Sequence, residues 1–427
     1  MGLRMKKLLI ISYAFPPQHN PASIFFAKIL TGLRKTKSPF LPVVICADPQ
    51  TTLEEQDHSL IRLLPVPLVL EKLPSTEATG LHRLTMIVFP FLKRLPDKSF
   101  WWVRENRRRI ITLCQRHTPA VIYSRSHYLG SHLLALKAKQ ETGTPWVAHF
   151  SDPWTTNPYV KYGILTHFLN RRWERQVIEF ADRIIFVSAA LRDSVMQGYP
   201  ASWQSKCSVI PQPFDPKWYP PIQKAKRDAK RDRFTFSCIG NFYGKRNPVP
   251  LLKALSVLQK QHPDVYREVQ VQFIGHIPRR QLLHPLFRRH AARIHHIGPV
   301  SYLESLKYMK NADALVLIDA DITPSVFLPS KLIDYIGTQN PILGITPQDS
   351  PADLLIRKLR NLSHPPREIQ PIAESCVQLF FASKRKDNPF RYTSHAIHDY
   401  HIDTVARLLR NELESVIDNM ISDGRKK

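Results

Sequence analysis

Short, almost wholly apolar runs alternate with stretches of helical period along most of this chain. Residues 8–12 and 43–47 have the composition of strands buried on both faces, and residues 24–33 between them carry apolar positions at helical spacing. The loop Tyr13-Ala-Phe-Pro-Pro-Gln-His-Asn-Pro-Ala-Ser23 joins the first strand to that helix. Strand, loop, helix, strand is the opening of a doubly wound α/β domain, whose ligands sit at the carboxyl ends of strands, so this loop is expected to face a cleft. From about residue 60 to residue 100 the alternation breaks down. It resumes with helices over 103–117 and 130–139, strands over 120–123 and 146–150, a helix over 170–180 and a strand over 183–187.

A proline-rich passage over 208–217 and a charged run over 223–233 interrupt the pattern, and a second α/β series begins at residue 234. The division this predicts is a first domain over 1–205, a second over 206–403, and a terminal segment over 404–427 that contains a helix at 404–420. The second series has strands at 234–239, 269–274 and 314–318, helices at 248–259 and 301–309, and then the stretch from Phe327 to Ile345. There, Pro329 stops what precedes it and Ser330 is expected to be the N-cap. Leu332, Ile333 and Ile336 suit one face of a short helix, which Gly337 is expected to end. Asn340-Pro341 then turns into a buried strand.

A helix start carrying Ser330 and Lys331 offers backbone N–H groups, the positive end of a dipole and a mobile cation, a set that suits a diphosphate. Asp334, one turn on, is placed to accept hydrogen bonds from a ribose. A surface helix with a solvated lysine fits the same residues, so this stretch alone leaves both open.

The 427 residues suffice for two domains with a core each, and 43% hydrophobic residues indicate a globular chain. Charge changes the picture more. Lys and Arg number 61 against 35 Asp and Glu, and the resulting +26 attracts polyanions, whether nucleic acid, anionic lipid or phosphorylated substrates. Five scattered cysteines, without metal-ligand spacing, point to neither a disulfide framework nor a zinc site and fit a reducing cytoplasm. The apolar run near the N-terminus is short and reads as a first strand, not a signal peptide. No run approaches the ~18 apolar residues of a membrane span.

Taken in order, Tyr13-Ala-Phe-Pro-Pro, Ser151-Asp152-Pro153-Trp154, Phe186-Val-Ser-Ala-Ala-Leu-Arg192, Val209-Ile-Pro-Gln-Pro-Phe-Asp215, Gly240-Asn-Phe-Tyr-Gly and Leu328-Pro-Ser-Lys resemble the family 4-like retaining glycosyltransferases of GT-B fold, from about Lys6 to Leu413. The resemblance implies two facing Rossmann-like domains, an acceptor on the first and a nucleotide-sugar on the second, with the final helix crossing back. It also implies sugar transfer with retention of configuration, no cofactor besides the nucleoside diphosphate sugar as co-substrate, and no metal. Lys331 matches the basic residue beside the donor phosphates and Asp334 the second glutamate of an E-x7-E signature. Val326 stands where the first glutamate belongs, leaving Thr323 or Ser325 to meet the donor sugar. Gly240-Asn241 replaces the more usual Gly-Arg, and Lys245 or Arg246 matches a later basic position.

On the acceptor side, His149-Phe-Ser-Asp152-Pro-Trp154 stands where relatives read Asp-x-Arg-Asp-Pro-Trp. Asp152 either positions an acceptor hydroxyl or holds the turn before Pro153, Trp154 is core or a sugar-stacking wall, and His149 is a cleft group or a structural histidine. Basic and apolar residues mix over 81–94, Trp101 and Trp102 follow, and Arg107, Arg108 and Arg109 add charge. This cluster is either an amphipathic helix packed on its own domain, with core aromatics and solubilising arginines, or an interfacial element that meets an anionic membrane and a lipid-linked acceptor at the cytoplasmic face, and the second is the reading expected. The function expected is transfer to a glycan or lipid-linked acceptor in surface polysaccharide or glycoconjugate biosynthesis. Two rivals are a GT-B protein of other activity, such as a nucleotide-sugar epimerase or a scaffold, and a nucleic-acid-binding protein. The dispersal of the basic residues and the lack of a recognition motif speak against the latter.

Overall fold

The computed structural model describes residues 5–48, 56–64, 67–75, 95–220 and 233–424. The chain divides into two compact units, Met1–Pro213 with Ile402–Lys427, and Phe214–His401.

Unit 1 is built on a parallel sheet of seven strands: β1 Lys6–Ser12, β2 Phe40–Asp48, β3 Val69–Pro74, β4 Val121–Arg125, β5 Trp146–Phe150, β6 Arg183–Phe186 and β7 Cys207–Val209. Its order is β3-β2-β1-β4-β5-β6-β7. Numbering only helices of eight or more residues, α1 Pro21–Lys35, α2 Phe100–His117, α3 Gly130–Thr142, α4 Ile164–Phe180 and α5 Ala189–Met196 alternate with the strands. β3 escaped the sequence reading because it is an edge strand with alternating exposure, carrying Glu71, Lys72 and Pro74 where the inner strands carry apolar runs. β7 escaped it because only three residues pair, just before a proline-rich passage. The first sheet therefore extends past residue 205, and the division falls at Pro213/Phe214.

Unit 2 has a sheet of six parallel strands, β8 Phe234–Ile239, β9 Val269–Ile274, β10 Ile294–Gly298, β11 Ala314–Ile318, β12 Ile342–Ile345 and β13 Leu362–His364, in the order β10-β9-β8-β11-β12-β13. Its helices are α6 Val249–Gln261, α7 Tyr302–Asn311, α8 Ser330–Thr338, α9 Pro351–Lys358 and α10 Ile369–Ser383. Inner strands β8, β9 and β11 fall where the apolar runs predicted them.

The last helix, α11 Ile402–Gly424, belongs to unit 1. Val405, Leu409, Leu413 and Val416 bury one stripe against Phe25, Phe26, Ile29 and Leu30 of α1 and the sheet beneath. The approach is close at Gly32, where a Cβ would lie 2.8 Å from Ala406 Cβ and 2.8 Å from Ile402 Cγ1. Only glycine admits this contact without displacement.

Both strand orders reverse once, between β1 and β4 in unit 1 and between β8 and β11 in unit 2. In open parallel sheets the loops leaving such a pair diverge to opposite faces and leave a crevice at the carboxyl ends, where ligands bind. The crevice of unit 2 has a visible cause. β8 and β11 pair only at Phe236 with Ala314 and Ser237 with Leu315, and beyond this Tyr335 takes over. Its hydroxyl accepts from the Ile239 N–H at 2.8 Å and lies 3.1 Å from the Ile239 carbonyl. The peptide groups bared by the parting strands are thus satisfied by a side chain of α8.

Candidate functional site

At the unit 2 crevice the residues singled out from sequence stand on two loops and a helix start. Gly240 and Asn241 follow β8, Asp319 to Pro329 follow β11, and α8 begins at Ser330. Gly240 has φ +119°, and a Cβ there would lie 3.3 Å from Lys331 Cδ and 3.5 Å from its Nζ. The lysine therefore lies across the turn after β8. Desolvation is the main reason its pKa falls to about 8, and the neighbouring positive charge of Arg246 adds to this. The cation is thus half-buried against a glycine turn.

Two local expectations need correction. Pro329, not Ser330, occupies the N-cap of α8, and no side chain caps that end; Ser330 is the first helical residue. The N-terminal N–H groups are accordingly more available to a ligand than a serine cap would leave them. Gly337 does not end the helix, which runs to Thr338 and closes on Gln339 at φ +61°. It is glycine for packing, since a Cβ there would stand 2.4 Å from the Tyr219 hydroxyl and 2.8 Å from the Phe214 ring.

Arg246 is not free to follow a phosphate. Its Nη2 donates to Asp319 Oδ1 at 2.5 Å, an ion pair that ties the loop after β8 to the loop after β11 across the crevice. Asp319 is 5% exposed and its second oxygen has no hydrogen-bond partner among the described residues. Lys245, in contrast, is exposed. Asn241 accepts from the His276 backbone N–H at 2.9 Å and so braces the loop after β9. That loop comes close at Gly275, φ +128°, where a Cβ would fall 2.6 Å from the Gly240 carbonyl oxygen. Asp334 is 5% exposed and turned into the unit, its Oδ1 accepting from the Tyr302 hydroxyl at 3.0 Å and its carbonyl from Tyr219 at 2.8 Å. Thr323 is exposed and Ser325 and Val326 half-buried on the loop entering α8. Among the described residues no group of three His, Cys, Asp or Glu is placed to hold a metal ion.

A pH dependence follows. Unliganded Lys331 is charged below about 8 and neutral above, so a diphosphate is expected to bind more weakly as pH rises through that value, by up to about tenfold per unit. Because the folded pKa lies below the unfolded 10.5, the unfolded chain holds more protons between the two values and this lysine's contribution to stability rises with pH in the same window. Affinity and stability should diverge. Calorimetry with a nucleoside diphosphate and thermal unfolding over this range check both signs.

The crevice of unit 1 contains a residue that sequence reading missed. Arg125, at the end of β4, is 3% exposed, with its guanidinium 4.0 Å from the centre of the Phe25 ring. Its Nε has no hydrogen-bond partner among the described residues. Burial disfavours its charge, an effect that Tyr123 and then Asp152 partly offset. Asp152 is half-buried; Ser151 Oγ lies 2.8 Å from its Oδ2 and 2.7 Å from the Ser126 carbonyl, donating to one at a time. His149 is 1% exposed, with Nδ1 2.6 Å from the Tyr123 hydroxyl, and burial with Arg125 nearby holds its pKa well below the usual histidine value. It is a neutral core group.

Trp154 is fully buried, its indole N–H donating to Asn170 Oδ1 at 2.8 Å, so it supports the Asp152 loop and does not stack on a sugar. Its backbone segment borders a cavity of about 330 Å³ lined by Asp97, His127, Leu129, Tyr159 and Lys161. Of the basic-aromatic cluster, residues 81–94 lie outside the described residues, as do residues 223–232 of the charged run between the two series. Trp102 is core at 1% exposure, Trp101 is half-buried, and Arg107, Arg108 and Arg109 are exposed.

Two doubly wound units, each with a crevice at its strand reversal, and a last helix returned to the first unit make this a GT-B fold. Residues 43–218 match Glycosyltransferase Family 4. No curated protein matches the chain significantly. Among solved structures, HepE of Anabaena in complex with UDP-glucose is similar at TM-score 0.68 and 14% identity, over 96% of this chain and 100% of that one. The lipopolysaccharide outer core galactosyltransferase WaaB, in its apo form, gives 0.61 and 14% over 96% and 99%. A putative UDP-N-acetylglucosamine 2-epimerase from Listeria monocytogenes gives 0.61 and 12% over 97% of both. At such identities the likeness speaks for the GT-B fold, and the match over residues 43–218 supports a resemblance to family 4.

Proposed function

We propose that this protein is a retaining glycosyltransferase that moves a sugar from a nucleoside diphosphate sugar to a glycan or lipid-linked acceptor in surface polysaccharide or glycoconjugate assembly. The observation that carries this reading is the desolvated Lys331 lying across Gly240 at the uncapped start of α8. Helix end and ammonium receive the diphosphate and stabilise the charge that develops as it leaves. The Arg246–Asp319 pair fixes the two loops between which the nucleotide sits, and exposed Lys245 adds a second cation. Thr323 and Ser325 face the donor sugar, and Asp334, through Tyr302, sets the position of α8 beneath the ribose. On unit 1, Asp152 orients the acceptor hydroxyl within the positive field of Arg125. The leaving phosphate takes the acceptor proton, so no carboxylate pair at glycosidase spacing is called for.

Support for a UDP-sugar comes from HepE, solved with UDP-glucose. The epimerase neighbour sustains a second reading. The two separate cleanly, because an epimerase converts its nucleotide-sugar without an acceptor. The test of the donor site is thermal unfolding with a panel of nucleoside diphosphates, with and without magnesium. A nucleoside diphosphate is expected to raise the Tm by mass action on the folded state, while magnesium changes little. Dependence of this shift on a divalent metal would overturn the metal-free site. The protein works in the cytoplasm, on the inner face of the membrane; among the described residues no helix is long and apolar enough to cross one.

A further inference from the structure

We propose that the first turns of α4, with the segment leading into them, form the surface by which this protein docks onto an anionic lipid bilayer. The inference rests on the reading of unit 1 as the acceptor side, and it moves membrane contact to residues that sequence analysis had not considered.

Inward positions Thr166, Asn170, Glu174 and Val177 recur at helical spacing and are buried. Asn170 and Glu174 hold the Asp152 loop, through Trp154 and through the Thr155 hydroxyl and N–H. This anchors the helix and turns the rest of its first half outward. There Ile164 is 95% exposed, Phe168 62% and Leu165 58%, with Tyr159 at 38% just ahead. Clustered apolar side chains at such exposure signal contact with another phase or partner.

The charges beside them decide which. Lys161, His167, Arg171, Arg172 and Arg175 are all exposed. Between Lys161 and Arg175 the sole acidic residue is Glu174, 1% exposed and bonded to Thr155 and Tyr199. Arg171 and Arg175 lie 5.7 and 6.0 Å from the rings of Tyr199 and Trp203, and Lys206 lies 5.3 Å from Trp203, which sets a collar of cations and aromatics behind the apolar tip. An apolar tip flanked by cations, with no exposed acid between Lys161 and Arg175 and with Glu179 and Asp182 set further back beside Lys206, complements a bilayer whose headgroups are anionic and whose acyl region accepts the tip. A nucleic acid would engage the collar alone. Tyr159 and Lys161 also line the cavity of unit 1, so docking there brings that cavity to headgroup level, where a lipid-linked acceptor presents its sugar.

The test is co-sedimentation of the full-length chain with vesicles of phosphatidylcholine, with or without phosphatidylglycerol. Binding is expected only with phosphatidylglycerol and is expected to be lost at high salt. Ile164→Asp with Phe168→Asp should weaken it by roughly tenfold or more while preserving the Tm and its shift with UDP. Arg171→Glu with Arg172→Glu should weaken it as well. Unchanged vesicle binding by the apolar variant would overturn the proposal. So would a concentration-dependent dimer of the wild type that the variant abolishes, because the tip would then be a self-association surface. Because the UDP shift is read separately, failure of docking and failure of the donor site remain distinguishable.

Discussion

Replacing Lys331 by alanine is expected to cut sugar transfer by roughly tenfold to a hundredfold and to leave the unfolding temperature unchanged or slightly raised. A charge-assisted contact to a departing diphosphate in a partly dry crevice is worth about 1.5–3 kcal/mol, and this converts to that range of rate. The fold gains little from the ammonium, because burial already pushes its pKa down to about 8 and Arg246 repels it. The alkyl stem lying across Gly240 is lost in the alanine variant, which offsets part of the gain from removing the charge. Lys331→Met keeps most of the stem and loses the charge, so it should match the alanine variant in activity and lie at or slightly above it in Tm. Rates near wild type for both variants would place the donor elsewhere.

The second large effect is expected at Arg125, with opposite signs for stability and activity. Arg125→Met should raise the Tm by a few degrees, because relieving a buried charge with an apolar side chain of similar length gains about 1–4 kcal/mol. It should at the same time raise the KM for the acceptor strongly, leaving the Kd for nucleoside diphosphate unaltered, since the arginine belongs to the crevice of unit 1 and the donor residues to unit 2. On the reading of unit 1 as the acceptor side, a charge that costs the fold stability at this crevice serves the ligand. If Arg125→Met lowered the Tm and left acceptor kinetics intact, the arginine would be structural. Thermal unfolding together with acceptor saturation curves distinguishes these outcomes.

Apolar runs determined the architecture at the level of elements. A parallel strand buried on both faces has no polar face to disguise it, which is why β5, β8 and β11 could be read to within a residue or two; β9, with half-buried Gln270 and Gln272, shows instead the alternation of a strand with one wetter face. Edge strands β3, β10 and β13 expose part of their length and lack that signature. The donor segment was legible for a different reason: proline, serine, lysine and a helical stripe stand next to one another in the chain, and helix-end chemistry is local.

Tertiary structure decided how those residues are used. Arg246 is tied to Asp319, Asn241 to the backbone of His276, and Asp334 to Tyr302, pairings between residues 32 to 73 positions apart that no local pattern specifies. Gly337 looked like a helix terminator and is instead a contact surface for Phe214 and Tyr219. The sequence did offer one unread signal. Arg125 and Asp319 each stand at or directly after the end of a buried parallel strand, where a charge cannot serve the core and is carried to the mouth of the crevice. Which strands would flank a reversal depended on the order of the whole sheet, and sheet order is set by how every element packs, not by any one segment.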